Sequence, residues 1–290
     1  MLDTKNEKTP KVFCYFHIED LDGWSASAIV KKKYPLAEFY GYNYEGNLPI
    51  VEGYDIVFMV DLSDSLETMK KLKEKNKKFI WIDHHASKIK EVEKANLEFE
   101  GLRDSDNNNA ACILTWKYLY PDNEVPGLLQ YIEDIDLWKF AFKNTMQIVT
   151  ALDIDYKQDR VMLKEMMEND VWKKMFPILV ERGQTYLNFT EHQIDEIIKN
   201  AVMKEWNGYK ISIVNTNVHK SFVGDRLLKI NPNIQFVLLW SVEKDLVKVS
   251  LRGREDINLG EIARRYSGGG HKAAAGFSMK YKEFFKHVLK

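Results

Sequence analysis

Three adjacent polar residues, Asp83-His84-His85, close the apolar run Phe79-Ile80-Trp81-Ile82. Such a run, with β-branched and aromatic members, reads as a strand buried on both faces. Packing has no use for three polar side chains at its end, whereas a divalent ion does, because carboxylate and neutral imidazole are ligands for Mn, Fe, Zn or Co. The plainer reading is that Asp83 caps the next helix and the histidines face water. The pattern recurs, however. Lys11-Val12-Phe13-Cys14-Tyr15-Phe16 ends in His17-Ile18-Glu19-Asp20-Leu21-Asp22-Gly23, and Asp55-Ile56-Val57-Phe58-Met59-Val60 ends in Asp61-Leu62-Ser63-Asp64. A fourth apolar stretch, Leu128-Leu129-Gln130-Tyr131-Ile132, runs into Glu133-Asp134-Ile135-Asp136.

Four segments thus deliver acid or imidazole at their carboxyl ends. In an open α/β sheet the ligand crevice lies outside the carboxyl ends of the strands, so the four would meet at one place. Helical patterns separate the strands. Trp24 to Tyr34 is helix-compatible and ends in Lys31-Lys32-Lys33, Ser65 to Asn76 reads as an amphipathic helix capped by Ser65, and Asn107-Asn108-Asn109 precedes a helix over Ala110 to Tyr118. Ala37 to Tyr44 reads as a further strand. The alternation predicts an α/β fold with a doubly wound parallel sheet.

From about Tyr156 the pattern is long and helical, with a connecting helix over Leu179 to Ala201. Strands then return at 210–214, 234–240 and 247–251, with a helix over 259–266. The expected organisation is a metal-binding catalytic domain over 1–155, a helical linker over 156–204, and a smaller α+β domain over 205–290. That last domain holds Ser267-Gly268-Gly269-Gly270-His271-Lys272. Consecutive glycines mark a tight path or a close approach of backbone to ligand. Freed amides beside His271 and Lys272 could bind a phosphate, with Arg252 and Arg254 as a fork to the same anion. A flexible hairpin beside surface arginines accounts for the same residues.

Bulk composition excludes several classes. The 290 residues are 45% hydrophobic and 29% charged, an ordinary globular balance. With 42 basic against 43 acidic residues the net charge is −1, so no global basic field for duplex binding exists. No run of about 18 apolar residues appears, and Met1 to Pro10 lacks an apolar leader core. The expectation is a cytoplasmic protein with no membrane partner. Cys14 and Cys112, the two cysteines, read as core residues in a reducing compartment.

His17 to Gly23, Asp61, Asp83-His84-His85, Asp134 in the run to Trp138, and Gly268-Gly269-Gly270-His271 with Ala274-Ala275-Gly276 resemble, in order, the motifs of the DHH/DHHA1 phosphoesterase superfamily. The resemblance spans nearly the whole chain and looks closest to its oligoribonuclease-like members. It implies a DHH domain joined by helices to a DHHA1 domain that binds nucleotide or phosphate. It also implies two divalent cations, normally Mn²⁺, with Mg²⁺ or Co²⁺ as substitutes. His17, Asp20 and Asp61 would hold one ion; Asp22, Asp61, His84 and Asp134 would hold the other, with Asp136 the alternative to Asp134. His85 would face the substrate phosphate, Asp83 would orient its neighbours, and Arg252, Gly268, Gly269, Gly270, His271 and Lys272 would bind substrate. One departure stands out: His17 precedes Asp20 by three residues, where many members have four.

Two ions about 3.5–4 Å apart can activate water and clamp both oxygens of an in-line displacement at phosphorus. The expected activity is hydrolysis of short single-stranded oligonucleotides (nano-RNA or short DNA) or linear dinucleotides to nucleoside monophosphates. The alternatives are a phosphoanhydride hydrolase of the pyrophosphatase or exopolyphosphatase type, a phosphatase acting on 3′-phosphoadenosine 5′-phosphate, and a non-catalytic binding protein. A homodimer is compatible with the sequence. Trp138 reads as core bordering the site, with base stacking as its other role, and His219 lies in a polar loop within reach of a substrate.

Overall fold

The computed structural model describes residues 9–254 and 256–289; residues 1–8, part of the segment read for a leader, lie outside them. The chain divides into two compact units, between Leu187 and Asn188. In chain order the first contains β1 (Val12–His17), α1 (Leu21–Lys33), β2 (Glu38–Tyr42), β3 (Ile56–Val60), α2 (Leu66–Lys75), β4 (Phe79–Ile82), α3 (Ala86–Lys94), α4 (Ala111–Leu119), α5 (Gly127–Asp136), α6 (Thr145–Asp155), α7 (Arg160–Met166) and most of α8 (Asn169–Ile198).

The apolar runs form an all-parallel sheet in the order β2-β1-β3-β4. Val12, Cys14, Phe16, Phe58, Val60, Ile80 and Ile82 enter the core on one face; Phe13, Tyr15, Val57, Met59, Phe79 and Trp81 enter the core on the other. Period-two alternation of side chains explains the split, and burial of both faces explains why the runs contain no polar positions. The chain leaves β1 toward β2 on one side and toward β3 on the other, so the topological switch lies between β1 and β3. Pairing of Phe16 with Val60 and of Val60 with Ile82 sets the register. The next residues of the three strands, His17, Asp61 and Asp83, therefore stand in a row along the carboxyl edge.

Helix ends adjoin that row. Asp20 caps α1 by accepting the Gly23 N–H at 3.0 Å. A Cβ on Gly23 would lie 2.1 Å from the His17 carbonyl oxygen, so only glycine lets the chain turn this closely. Ser65 caps α2 through the Thr68 N–H, but Asn107-Asn108-Asn109 do not cap α4. Its first amides, Ala111 and Cys112, donate to Asp22 at 2.8 and 2.7 Å. The fourth apolar stretch arrives on a helix, because Leu128, Leu129 and Ile132 recur at helical spacing and bury one face of α5. Arg160 at the start of α7 lies 4.0, 4.8 and 5.1 Å over the rings of Phe39, Phe16 and Trp24, and donates to Ser27 Oγ at 2.8 Å. It clamps the end of β1 to the start of α1.

The second unit carries β5 (Val202–Trp206), β6 (Tyr209–Asn215), α9 (Lys220–Ile230), β7 (Phe236–Glu243), β8 (Leu246–Gly253), α10 (Leu259–Arg264), β9 (Gly269–Gly270), β10 (Ala274–Lys280) and α11 (Tyr281–Phe284), which continues into a π-helical turn, Phe285–Leu289. Its sheet order is β5-β6-β7-β8-β10-β9, with β6 and β7 parallel and the other pairs antiparallel. This is an α+β unit with its own core around Phe236, Leu238, Leu251 and Phe284.

Gly23→Ala is expected to destabilise the protein by about 1–3 kcal/mol, the range for overpacking a tight site. An unchanged thermal unfolding midpoint would show that the turn between β1 and α1 yields at no cost.

Candidate metal centre

Asp61 sits at the centre of the edge. It is 1% exposed, and its backbone is left-handed at φ +51, a conformation that non-glycine residues seldom adopt. Both carboxylate oxygens are buried and without a hydrogen-bond partner. Three imidazoles approach it: His84 Nε2 at 3.4 Å, His17 Nδ1 at 3.6 Å and His85 Nδ1 at 3.9 Å. His84 Nε2 also lies 3.5 Å from Asp136 and 3.7 Å from Asp22. Three groups result, His17–Asp20–Asp61, Asp61–His84–His85 and Asp22–His84–Asp136, each with its ligand atoms within 4.8 Å of one another. Asp61 belongs to two of them and His84 to two.

Asp83 serves differently. It is fully buried. Oδ1 accepts the backbone N–H of His84 at 2.8 Å and of His85 at 3.2 Å and bonds His85 Nδ1 at 2.6 Å, while Oδ2 accepts the Ser63 hydroxyl. It orients the two histidines. With Nδ1 of His85 engaged, Nε2 is the nitrogen left for a ligand.

Crowding of like charge shifts the protonation of the whole cluster. Burial pushes Asp22 well above the usual carboxylate range, helped by Asp61 and Asp136. Burial raises Asp136 to about 7, with His84 opposing and Asp61 and Asp20 reinforcing. Asp61 goes the other way: burial alone would raise it, but His17, His84 and His85 hold it below the usual range. Burial would lower the imidazoles, yet the carboxylates facing them lift His17 to about 10, His84 to about 11 and His85 to about 9. Protons thus supply the positive charge this cluster needs, and a divalent cation would supply the same charge to the same atoms. Oxygen and imidazole donors fit Mn²⁺, Mg²⁺ or Co²⁺. The Cys112 thiol faces Asp22, but burial and Asp22 push its pKa far up, so it offers no thiolate.

Of the residues singled out in the sequence, His17, Asp20, Asp22, Asp61, His84 and His85 come together, with Asp83 behind them. Asp134 does not join them. Its Oδ1 accepts the Ala141 N–H at 2.7 Å, and its Oδ2 accepts the Phe142 N–H at 3.2 Å and the Thr145 hydroxyl at 2.5 Å, so it ties down the loop after α5. Asp136, one half-turn on, faces His84 instead. In the second unit Arg252 donates to Ser221 Oγ at 3.3–3.4 Å and to the Leu251 carbonyl at 2.9 Å, while Arg254 bonds the carbonyls of Ile234 and Leu228. Gly268 and Gly270 are required by close approach to Phe277 and Ala275; Gly269 has open space where a Cβ would be. His271 N–H closes the turn onto Ala274 at 2.7 Å, and the Lys272 carbonyl accepts the Leu259 N–H. His219 bonds Gln193. Ser63 and Cys112 were not legible as site residues; Ser63 follows Asp61 by two, the one signal that pointed there.

Residues 11–138 match the DHH family, N-terminal domain, and residues 200–290 match the DHHA1 domain. The chain belongs to the DHH/DHHA1 family. This family acts on phosphate esters as hydrolases. Among curated relatives, the DHH/DHHA1 chain is 28% identical over 232 residues to the uncharacterized protein R106 of Acanthamoeba polyphaga mimivirus, covering 77% of this chain and 52% of that protein. It is 26% identical over 248 residues to oligoribonuclease NrnB of Bacillus subtilis, covering 78% and 59%. The chain therefore spans between half and three-fifths of the length of these relatives. Similar solved folds include an exopolyphosphatase-related protein from Bacteroides fragilis (TM-score 0.58, 14% identity, 97% and 91% covered), the exonuclease RecJ bound to manganese (0.55, 15%, 97% and 89%) and the pGpG-specific phosphodiesterase PggH of Vibrio cholerae (0.53, 13%, 95% and 95%). No helix among the described residues is long and apolar enough to cross a membrane.

Because His17, His84 and Asp136 hold protons up to about 10, about 11 and about 7, a cation must displace them. Affinity for Mn²⁺ is expected to rise as pH rises from 6 to 8, with proton release visible as a buffer-dependent heat in titration calorimetry; buffer-independent heat would contradict the proposed ligands. Asp134→Asn is expected to cost roughly 2–4 kcal/mol of stability by placing an amide against three donors. Asp136→Asn is expected to leave the metal-free protein as stable or more so, since it removes one of several crowded carboxylates. Chemical denaturation of the two variants separates these outcomes.

Proposed function

We propose that the chain is a divalent-metal-dependent phosphodiesterase that cuts short oligonucleotides or linear dinucleotides to nucleoside monophosphates. The observation that carries the proposal is Asp61: a buried carboxylate with both oxygens unpartnered, shared between two of the His/Asp groups at the switch point of a parallel sheet. On this reading His17, Asp20 and Asp61 hold one ion, and Asp22, Asp61, His84 and Asp136 hold the other. Asp136 replaces Asp134 because its carboxylate faces His84, whereas that of Asp134 is fully hydrogen-bonded. Two bound divalent ions, Mn²⁺ foremost, would supply an acidified water and neutralise phosphoryl charge.

The side chains do the rest. Asp83 fixes the His85 ring through Nδ1, which leaves Nε2 to donate to a phosphoryl oxygen, and the raised pKa of about 9 keeps a proton there at neutral pH. Arg252, Gly268, Gly269, Gly270, His271 and Lys272 form the proposed phosphate-binding set of the second unit, where the open space beside Gly269 lets a ligand approach backbone. The names of NrnB as an oligoribonuclease and PggH as a pGpG-specific phosphodiesterase support this substrate class. The exopolyphosphatase-related fold neighbour favours the second reading, a phosphoanhydride hydrolase.

Purified protein with Mn²⁺ is expected to hydrolyse a linear dinucleotide faster than pyrophosphate, polyphosphate, 3′-phosphoadenosine 5′-phosphate or a long oligomer. Asp61→Asn is expected to lower that rate by at least about 10³-fold. Turnover of polyphosphate alone would install the second reading, and an Asp61→Asn variant with full activity would remove both.

A further inference from the structure

Beyond β2 the chain turns through Asn43 to Gly46, and there Tyr44 adopts a left-handed backbone at φ +64. An aromatic residue seldom occupies that region, which glycine and asparagine fill readily. The turn is held on both sides: the Tyr42 hydroxyl donates to the Gly46 carbonyl at 2.8 Å, and Asn43 Oδ1 accepts the Glu45 N–H at 3.2 Å. Strain that surrounding structure enforces is a pointer to function. Here it sets the Tyr44 ring 5.7 Å from the His17 imidazole and 5.5 Å from the Tyr42 ring, centroid to centroid.

The ring thus borders the metal centre on the His17 side while the residue stays 52% exposed. A tyrosine hydroxyl carries its proton at neutral pH. This matters because the centre is built from Asp20, Asp22, Asp61, Asp83 and Asp136, and ionised carboxylates accept hydrogen bonds but donate none. A phosphate entering beside them needs donors. His85 is one; the Tyr44 phenol, whose ring stands beside His17, is another.

We infer that the Tyr44 hydroxyl donates a hydrogen bond to a nonbridging phosphoryl oxygen of the substrate, positioning it against the His17–Asp20–Asp61 side of the centre. The inference rests on the phosphodiesterase reading above.

The test compares wild type with Tyr44→Phe, both loaded with Mn²⁺, on a linear dinucleotide and on the two diastereomers of its phosphorothioate. Tyr44→Phe is expected to lower kcat/KM about 10- to 100-fold, the value of a hydrogen bond to a charged group. Mn²⁺ affinity by calorimetry and the unfolding midpoint are expected to stay unchanged. The rate penalty for sulfur at one of the two nonbridging positions is expected to shrink in the variant, a change that a merely structural role would not produce. Tyr44→Asn, which suits the left-handed backbone, should show the same loss without strain. Wild-type turnover with an undiminished Tyr44→Phe rate would overturn the inference alone, as would a loss of activity that tracks a loss of Mn²⁺. A wild type inactive on every phosphodiester would overturn the reading beneath it and the inference together.

Discussion

The structure is organised around a concentration of negative charge that the fold must tolerate. Asp61 lies at the end of a fully buried strand, in a backbone conformation costing a non-glycine residue about 1–2 kcal/mol, with both oxygens buried, unbonded and faced by imidazoles at 3.4–3.9 Å. Asp20, Asp22 and Asp136 surround it, and the elements nearby are arranged to make that arrangement bearable. Asp20 is used by the first turn of α1, Asp22 by the first turn of α4 and Asp83 by two backbone amides, a hydroxyl and an imidazole. Among these carboxylates both oxygens of Asp61 and one of Asp136 have no hydrogen bond. The unmet demand is therefore focused on the atoms that face one another.

Sheet register and helix ends divide the work of positioning. His17, Asp61 and Asp83 are placed by strand pairing, which is rigid because both faces of the sheet are packed. Asp20, Asp22 and Asp136 come from the ends of helices, and their placement depends on how α1, α4 and α5 pack. The Arg160 guanidinium, laid over Phe16, Trp24 and Phe39, joins these two kinds of support on one side of the His17–Asp22 turn.

What could be read from the sequence follows the same division. Strand-borne residues were legible, since an unbroken apolar run ending in acid or imidazole has few other meanings, and the doubly wound sheet followed from the alternation. Asp136 was harder to separate from Asp134: two acids two residues apart point to nearly opposite sides of a helix, and nothing in Asp134-Ile135-Asp136 tells which side faces the centre. The answer depends on Ala141, Phe142 and Thr145, which close onto Asp134 from a loop whose shape no local pattern encodes. The start of α4 was opaque for a related reason. Its asparagines look like caps, but its amides are satisfied by Asp22, 89 residues earlier. Tyr44 carried no signal at all, because a left-handed tyrosine is a product of the turn around it.

The long-range pairing of Asp22 with α4 limits how such a chain could lose the proposed activity while keeping its shape. Asp22 stands beside His84 and also closes the open end of α4, so a neutral replacement there would fray a core helix along with the centre. Asp136 has no such second duty. Under the proposed function, drift toward a folded but inert descendant would begin at the carboxylate that braces no helix end or loop.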